Sequence, residues 1–224
     1  MNTCRHVAIG ALLAAIGFGA SAAHAQTSEI VAAVADSRGK PVADAVVVAV
    51  PVEANVRIVA RMRDAVVDQV GKEFVPRVMA IFVGTTVTFP NHDNVRHHVY
   101  SFSPAKRFEL PLYSGVLAQP VVFDKPGVVV LGCNIHDWMI GYIYVSESPY
   151  FAKTASDGKA VISDLPPHVY TVRVWHPDQD EAEDTTRKNV DTTRTPHVDA
   201  AWQLRLKPEI KIRRAPMGER GGRY

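Results

Sequence analysis

The sequence predicts an all-β protein of sandwich type, and three observations carry that expectation. Ten short runs rich in Val, Ile, Tyr and Phe, from "SEIVAAVAD" at 28–36 to "AAWQLRLKP" at 200–208, are mostly separated by Gly, Pro, Asn and Asp. Only "VRIVARMRDAVVDQVG" at 56–71 has helical spacing, and its β-branched residues weigh against a helix. No internal repeat is present, which leaves packed sheets rather than a solenoid.

The first 25 residues read as an export signal. Arg5 supplies the positive start, "VAIGALLAAIGFGA" the apolar run, and "AHA" at 23–25 the small residues of a cleavage site, so the mature chain is expected to begin near Gln26. The run is too short for a spanning helix, and the expected location is periplasmic, with no membrane span. Removing Arg5 from 25 Lys+Arg leaves 24 basic against 23 acidic residues, a balance that argues against nucleic acid as a partner. Cys4 leaves with the signal, so Cys133 remains as a lone thiol in an oxidising compartment. Such a thiol needs burial or a bound partner.

The two ends of the mature chain read as halves of one unit. "VADSRGKPVADAVVVAV" (34–50) is strand, Gly turn, Pro, strand; "TASDGKAVISDLPPHVYTVRVWHP" (154–177) is strand, Asp-Gly turn, strand, Pro-Pro turn, strand. Together they resemble a carboxypeptidase-regulatory-like (transthyretin-like) β-sandwich over 26–53 plus 148–206, with His168 where that pattern usually has Gly. Residues 66–147 are then an insertion in a surface connection, tolerable because closure entropy grows slowly with loop length. The polar stretch 178–200 is expected to be a solvated loop or hairpin excursion, and the basic 207–224 a flexible tail.

The inserted segment carries the chemistry. "LGCNIHDWMIGYIYV" at 131–145 spaces Cys133, His136 and Met139 as C-x2-H-x2-M, and "FPNHDNVRHHVYSFS" at 89–103 offers His92, His97 and His98. Two imidazoles, one thiolate and a weak thioether are the donor set of a blue-copper electron-transfer site. Thiolate and thioether favour Cu(I), imidazole suits both oxidation states, and ligation consumes the lone thiol. Adjacent strand residues face opposite ways, so only one of His97 and His98 can line such a site. His97 stands at the mouth of a strand with Val99 continuing the alternation; His92 reads as a solvated loop histidine and Trp138 as a packing residue.

From about Gly71 to Glu147 the chain resembles the cupredoxins, the plastocyanin- and amicyanin-like small blue copper proteins. The carrying residues are "VGTTVTFPNHDNVRHHV" and "PGVVVLGCNIHDWMIGYIYV", with an upstream N-x5-H and a short C-x2-H-x-aromatic-M loop. The resemblance implies a Greek-key sandwich, inserted into or appended to the second small β-sandwich. It also implies one mononuclear type 1 copper held by His97, Cys133, His136 and Met139. It further implies redox partners such as a c-type cytochrome or an amine dehydrogenase, in the manner of methylamine-utilisation proteins. Two positions depart from the family pattern: His98 replaces the usual Asn, and Asp137 replaces the usual Pro. Asp137 is expected to favour Cu(II) and lower the potential. The function expected is an exported single-electron carrier and not an enzyme, since no nucleophile–base pair or second copper cluster is evident. A copper-binding or copper-handling protein without electron transfer is the alternative.

Overall fold

The computed structural model describes residues 27–53, 64–115 and 119–208. The signal read at 1–25 and residues 209–224 of the basic tail lie outside them. Its first strands are β1 (Ser28–Asp36), β2 (Val46–Pro51), β3 (Ala65–Val66), β4 (Asp68–Val70), β5 (Glu73–Val75), β6 (Val78–Phe82), β7 (Thr86–Thr88), β8 (His97–Ser103) and β9 (Lys106–Tyr113). Then come β10 (Val121–Val122), β11 (Gly127–Gly132), β12 (Ile140–Ser146), β13 (Phe151–Lys153), β14 (Lys159–Leu165), β15 (Val169–Trp175), β16 (Lys188–Asp191) and β17 (His197–Leu204). The one helical turn among the described residues is a 3-10 helix, Glu183–Thr186. The protein is all-β, and no helix of the described residues is long and apolar enough to cross a membrane.

Sheets stack in layers. β14-β1-β17 and β13-β2-β15-β16 share a core of residues from Ile30 to Ala49 and from Ala160 to Leu204. β6-β12-β11-β8-β9 and the short β10-β7-β3 share another, from Val67 to Val145. β2 and β13, which bracket β3–β12 in sequence, pair antiparallel with Phe151 opposite Val48. The ends of the intervening hundred or so residues are thus held side by side, and lengthening a closed loop costs little once its ends are fixed.

A third core joins the two pairs of layers. Val46 and Val48 turn outward from β2 to meet Val78 and Tyr144, while Val47 and Ala49 turn inward. A strand buried on both faces reads as a continuous apolar run, which is why "AVVVAV" does not alternate. Trp175 closes this contact, its ring 5.5 Å from that of Tyr144 and 6.1 Å from that of Tyr142.

Two expectations are corrected. Residues 65–70 of the helically spaced stretch form β3 and β4, because Val67 and Gln69 are buried on alternate positions against the β7 side; residues 56–63 lie outside the described residues. The polar stretch 178–200 is not a solvated excursion throughout. It contains the 3-10 turn, β16 and the start of β17, whose backbone runs parallel to β1 from Glu29↔His197 onward. The burial of Thr186, Val190 and Thr192 supplies the apolar and hydroxyl contacts that the charge count concealed.

β4 and β5 form a hairpin whose turn residues Gly71 and Lys72 both have positive φ, 65° and 62°. That is the two-residue turn whose twist matches antiparallel strands. The hairpin lies on β12 because Gly141 lacks a side chain: a Cβ there would stand 2.9 Å from Phe74 Cβ.

A polar cluster borders the third core. Arg77 pairs with Asp178 at 3.3 Å, Lys153 with Asp44 at 2.6 Å, and the Asp178 amide donates to His176 Nδ1 at 3.1 Å. Burial pushes the His176 imidazole below its usual 6.5, aided by the Arg77 charge and opposed by Asp178 and Asp44. The unfolded chain therefore takes up a proton at His176 before the folded chain does. Stability from this residue is full above 6.5 and is lost as pH falls from there through the lower folded value. Urea midpoints of His176→Gln and wild type, compared between neutral pH and pH 5, should converge on acidification. Parallel curves would assign the acid sensitivity elsewhere.

Candidate metal centre

Three segments bring the candidate ligands together. β8 opens on His97, which is fully buried and pairs with Tyr113 of β9 ahead of a register shift before Val99. β11 delivers Val129, Leu131 and then Cys133 to the core side by alternation. The loop 133–139 turns back into β12, closed by the Met139 amide donating to the His136 carbonyl at 2.9 Å. Asn91 orders the loop before His97: its Nδ2 donates to the carbonyls of Val95 and Tyr113, both at 2.9 Å, and its Oδ1 accepts from the Asp93 amide at 2.9 Å.

Cys133 Sγ lies 3.8 Å from His97 Nδ1, and one donor atom from each of His97, Cys133 and His136 lies within 4.8 Å of the others. An ion bound to nitrogen at about 2.0 Å and sulfur at about 2.3 Å would bridge atoms up to about 4.3 Å apart, which admits the separation seen. The His97 and His136 rings stand 5.0 Å apart, edge to face. His136 is half-buried, yet its Nδ1 is closed to solvent and has no hydrogen-bond partner. A buried imidazole nitrogen without a partner is costly unless an ion takes its lone pair. Met139, 1 % exposed, packs in the same core cluster as Cys133. The residues present fit a metal ion.

The surrounding charges centre on Asp93. Its Oδ2 accepts from His97 Nε2 at 2.7 Å and from the Lys72 amide at 2.8 Å, and its Oδ1 from the Gly71 amide at 2.6 Å. A carboxylate only accepts, so the neutral His97 ring carries its proton on Nε2 and leaves the Nδ1 lone pair beside the thiol. Burial raises the Asp93 carboxyl, but the bonds from His97, Lys72 and Gly71 outweigh it and hold the group below the ordinary carboxylate range. Burial lowers the His136 imidazole, reinforced by His97 and Lys72. The acid that opposes this is Asp93, whereas Asp137 is exposed.

The other two candidate histidines, His92 and His98, lie apart from this cluster. His98 faces away, its Nε2 2.9 Å from Glu109 Oε1 and its ring 5.4 Å from that of Tyr100. His92 is on the surface, its Nδ1 2.7 Å from Asp68. Trp138 packs its ring 5.1 Å from that of His136. Sequence reasoning missed Asp93 and the hairpin tip that holds it; the only signal was an acid four residues before His97.

No protein-family model matches the chain, and no curated protein matches it. Among solved structures it is similar to a copper-containing nitrite reductase from Thermus scotoductus SA-01, at 31 % identity and a TM-score of 0.36. That likeness covers 43 % of this chain but only 25 % of the reductase. It is also similar to a purple cupredoxin from Nitrosopumilus maritimus, at 30 % identity and a TM-score of 0.33 over 37 % of this chain and 100 % of that one. A reduced mutant of amicyanin matches at 23 % identity and a TM-score of 0.34, over 37 % of this chain and 82 % of that one.

Proposed function

We propose that the protein is an exported single-electron carrier with one mononuclear type 1 copper held by His97, Cys133, His136 and, weakly, Met139. The observation that supports this most is the convergence of one donor atom each from His97, Cys133 and His136 within 4.8 Å of one another. Thiolate plus imidazole is a donor set that suits copper, and thioether is a poor zinc ligand. Bound there, copper would supply one-electron chemistry between Cu(II) and Cu(I). The chain's own residues fix the donors: Asp93 sets the His97 tautomer, Asn91 and the Met139 amide hold the loops, and the core keeps water from Cys133.

The half-buried ring of His136 gives the site its edge toward solvent, and the exposed Ile135 and Ile140 give apolar surface for a protein partner. By the sequence resemblance that partner is a c-type cytochrome or an amine dehydrogenase, in a periplasmic methylamine-utilisation-type setting. In this reading residues 66–147 are a cupredoxin domain, inserted into a carboxypeptidase-regulatory-like sandwich of 26–53 plus 148–206. Four protein donors leave no position for a substrate, so the protein is read as a carrier and not an enzyme.

The test is voltammetry and chelator competition on the copper-loaded mature chain. A reversible one-electron wave, with copper retained against the chelator, is the expected result. Rapid loss of copper without a wave would replace the carrier by a protein that binds and delivers copper.

A further inference from the structure

We propose that Asp93 is a positioning residue that biases the site toward Cu(II) by hydrogen-bonding His97, with the β4–β5 hairpin tip as its anchor. The inference rests on the copper reading above. The geometry is a relay of three parts. The Gly71 and Lys72 amides, both at positive φ in the turn, converge on the Asp93 carboxylate at 2.6 and 2.8 Å. The same carboxylate accepts His97 Nε2–H at 2.7 Å, and Nδ1 of that ring faces Cys133 Sγ at 3.8 Å.

Each part has a physical consequence. Successive backbone amides in a turn make a concave anion site, so Asp93 is fixed in place and kept charged without a lysine or arginine side chain paired to it among the described residues. Its side chain is only 14 % exposed, which limits screening by water. A carboxylate on the far nitrogen of a ligating imidazole raises the electron donation of the near nitrogen and locks the ring orientation. Stronger donation stabilises Cu(II) more than Cu(I), so the reduction potential falls. The sequence pointed to Asp137 for this role, but Asp137 is exposed on the loop, and the acid bonded to a candidate ligand is Asp93.

The experiment compares the midpoint potentials of copper-loaded wild type, Asp93→Asn and Asp68→Asn. Asp68 lies on the same hairpin and pairs with His92 at the surface, so its removal changes charge but no bond to a candidate ligand. Asp93→Asn should raise the Cu(I)-over-Cu(II) preference about tenfold, about 59 mV for one electron. Asp68→Asn should give less than about a third of that shift. Equal shifts in the two variants, with the thiolate-to-copper band intact, overturn the role of Asp93 and leave the copper reading standing. A wild-type protein that shows no such band overturns both. Should Asp93→Asn fail to fold, proton NMR of the diamagnetic Cu(I) wild type decides. A slowly exchanging, downfield His97 Nε2 proton supports the bond, and its absence overturns it.

Discussion

Replacing Cys133 by serine is expected to abolish the intense thiolate-to-copper absorption and widen the copper hyperfine splitting of the Cu(II)-loaded protein. The band requires a sulfur orbital on the metal, and Cys133 is the only free cysteine among the described residues. Copper affinity should fall more than about a hundredfold, beyond the 10–100-fold that loss of an outer-shell partner costs. The fold should survive. Cys133 is 3 % exposed, and serine differs from it by one atom, so the backbone and the packing around it are kept. Burying the hydroxyl without a partner costs about 1–3 kcal/mol, which is less than the stability of a folded domain. Circular dichroism of the copper-free variant should therefore overlay the wild type while the visible spectrum is lost. A pale wild-type spectrum that the substitution leaves unchanged would place copper on surface imidazoles such as His92 and His197, and the carrier reading would be abandoned.

What the sequence made legible was local. Strand content followed from β-branched runs between turn residues. The spacing of Cys133, His136 and Met139 was readable because one short loop holds all three, so no tertiary information was needed to place them near each other. The choice between His97 and His98 needed strand parity, and the structure sets the two on opposite faces, toward Cys133 and toward Glu109. What stayed hidden depends on distant partners. The bond from Gly71 to Asp93 spans 22 residues, and nothing in "VGKE" announces that its amides await a carboxylate. The parallel pairing of β17 with β1 joins residues 168 positions apart at Glu29 and His197, and the charges around it concealed β16. One signal was present and unread. "VVVAV" in β2 is apolar without alternation, which demands cover on both faces. Tyr142 and Tyr144 alternate with Ile143 and Val145 in β12 for the same reason. These two strands meet in the third core, and a group of polar side chains lies beside them.

Those groups converge on Arg173. On β15, Tyr170, Val172 and Val174 enter the inner core, which turns Arg173 and Trp175 toward β12. Arg173 Nε donates to Glu183 Oε1 at 2.6 Å and to Tyr144 OH at 3.3 Å, Tyr144 OH donates to the same Glu183 oxygen at 2.5 Å, and Arg173 Nη2 bonds Glu147. Tyr144 and Glu147 belong to the β12 end of one sandwich, Arg173 and Glu183 to the other, so a single guanidinium ties both. Its side chain is 13 % exposed and that of Glu183 23 %. Arg173→Met keeps the stem and its packing but strands two carboxylates. Breaking a fully buried pair costs about 3–5 kcal/mol. Here about 2–3 kcal/mol is expected, because Glu147, 39 % exposed, is screened by water. Urea unfolding followed by circular dichroism should show that loss, with the copper spectrum unmoved. Adding Glu183→Gln should recover part of it, since the second change removes the charge that the first left unpaired. A single variant within about 0.5 kcal/mol of wild type would mean that the apolar contact of Val46, Val48, Val78 and Tyr144 holds the sandwiches together without the ion network.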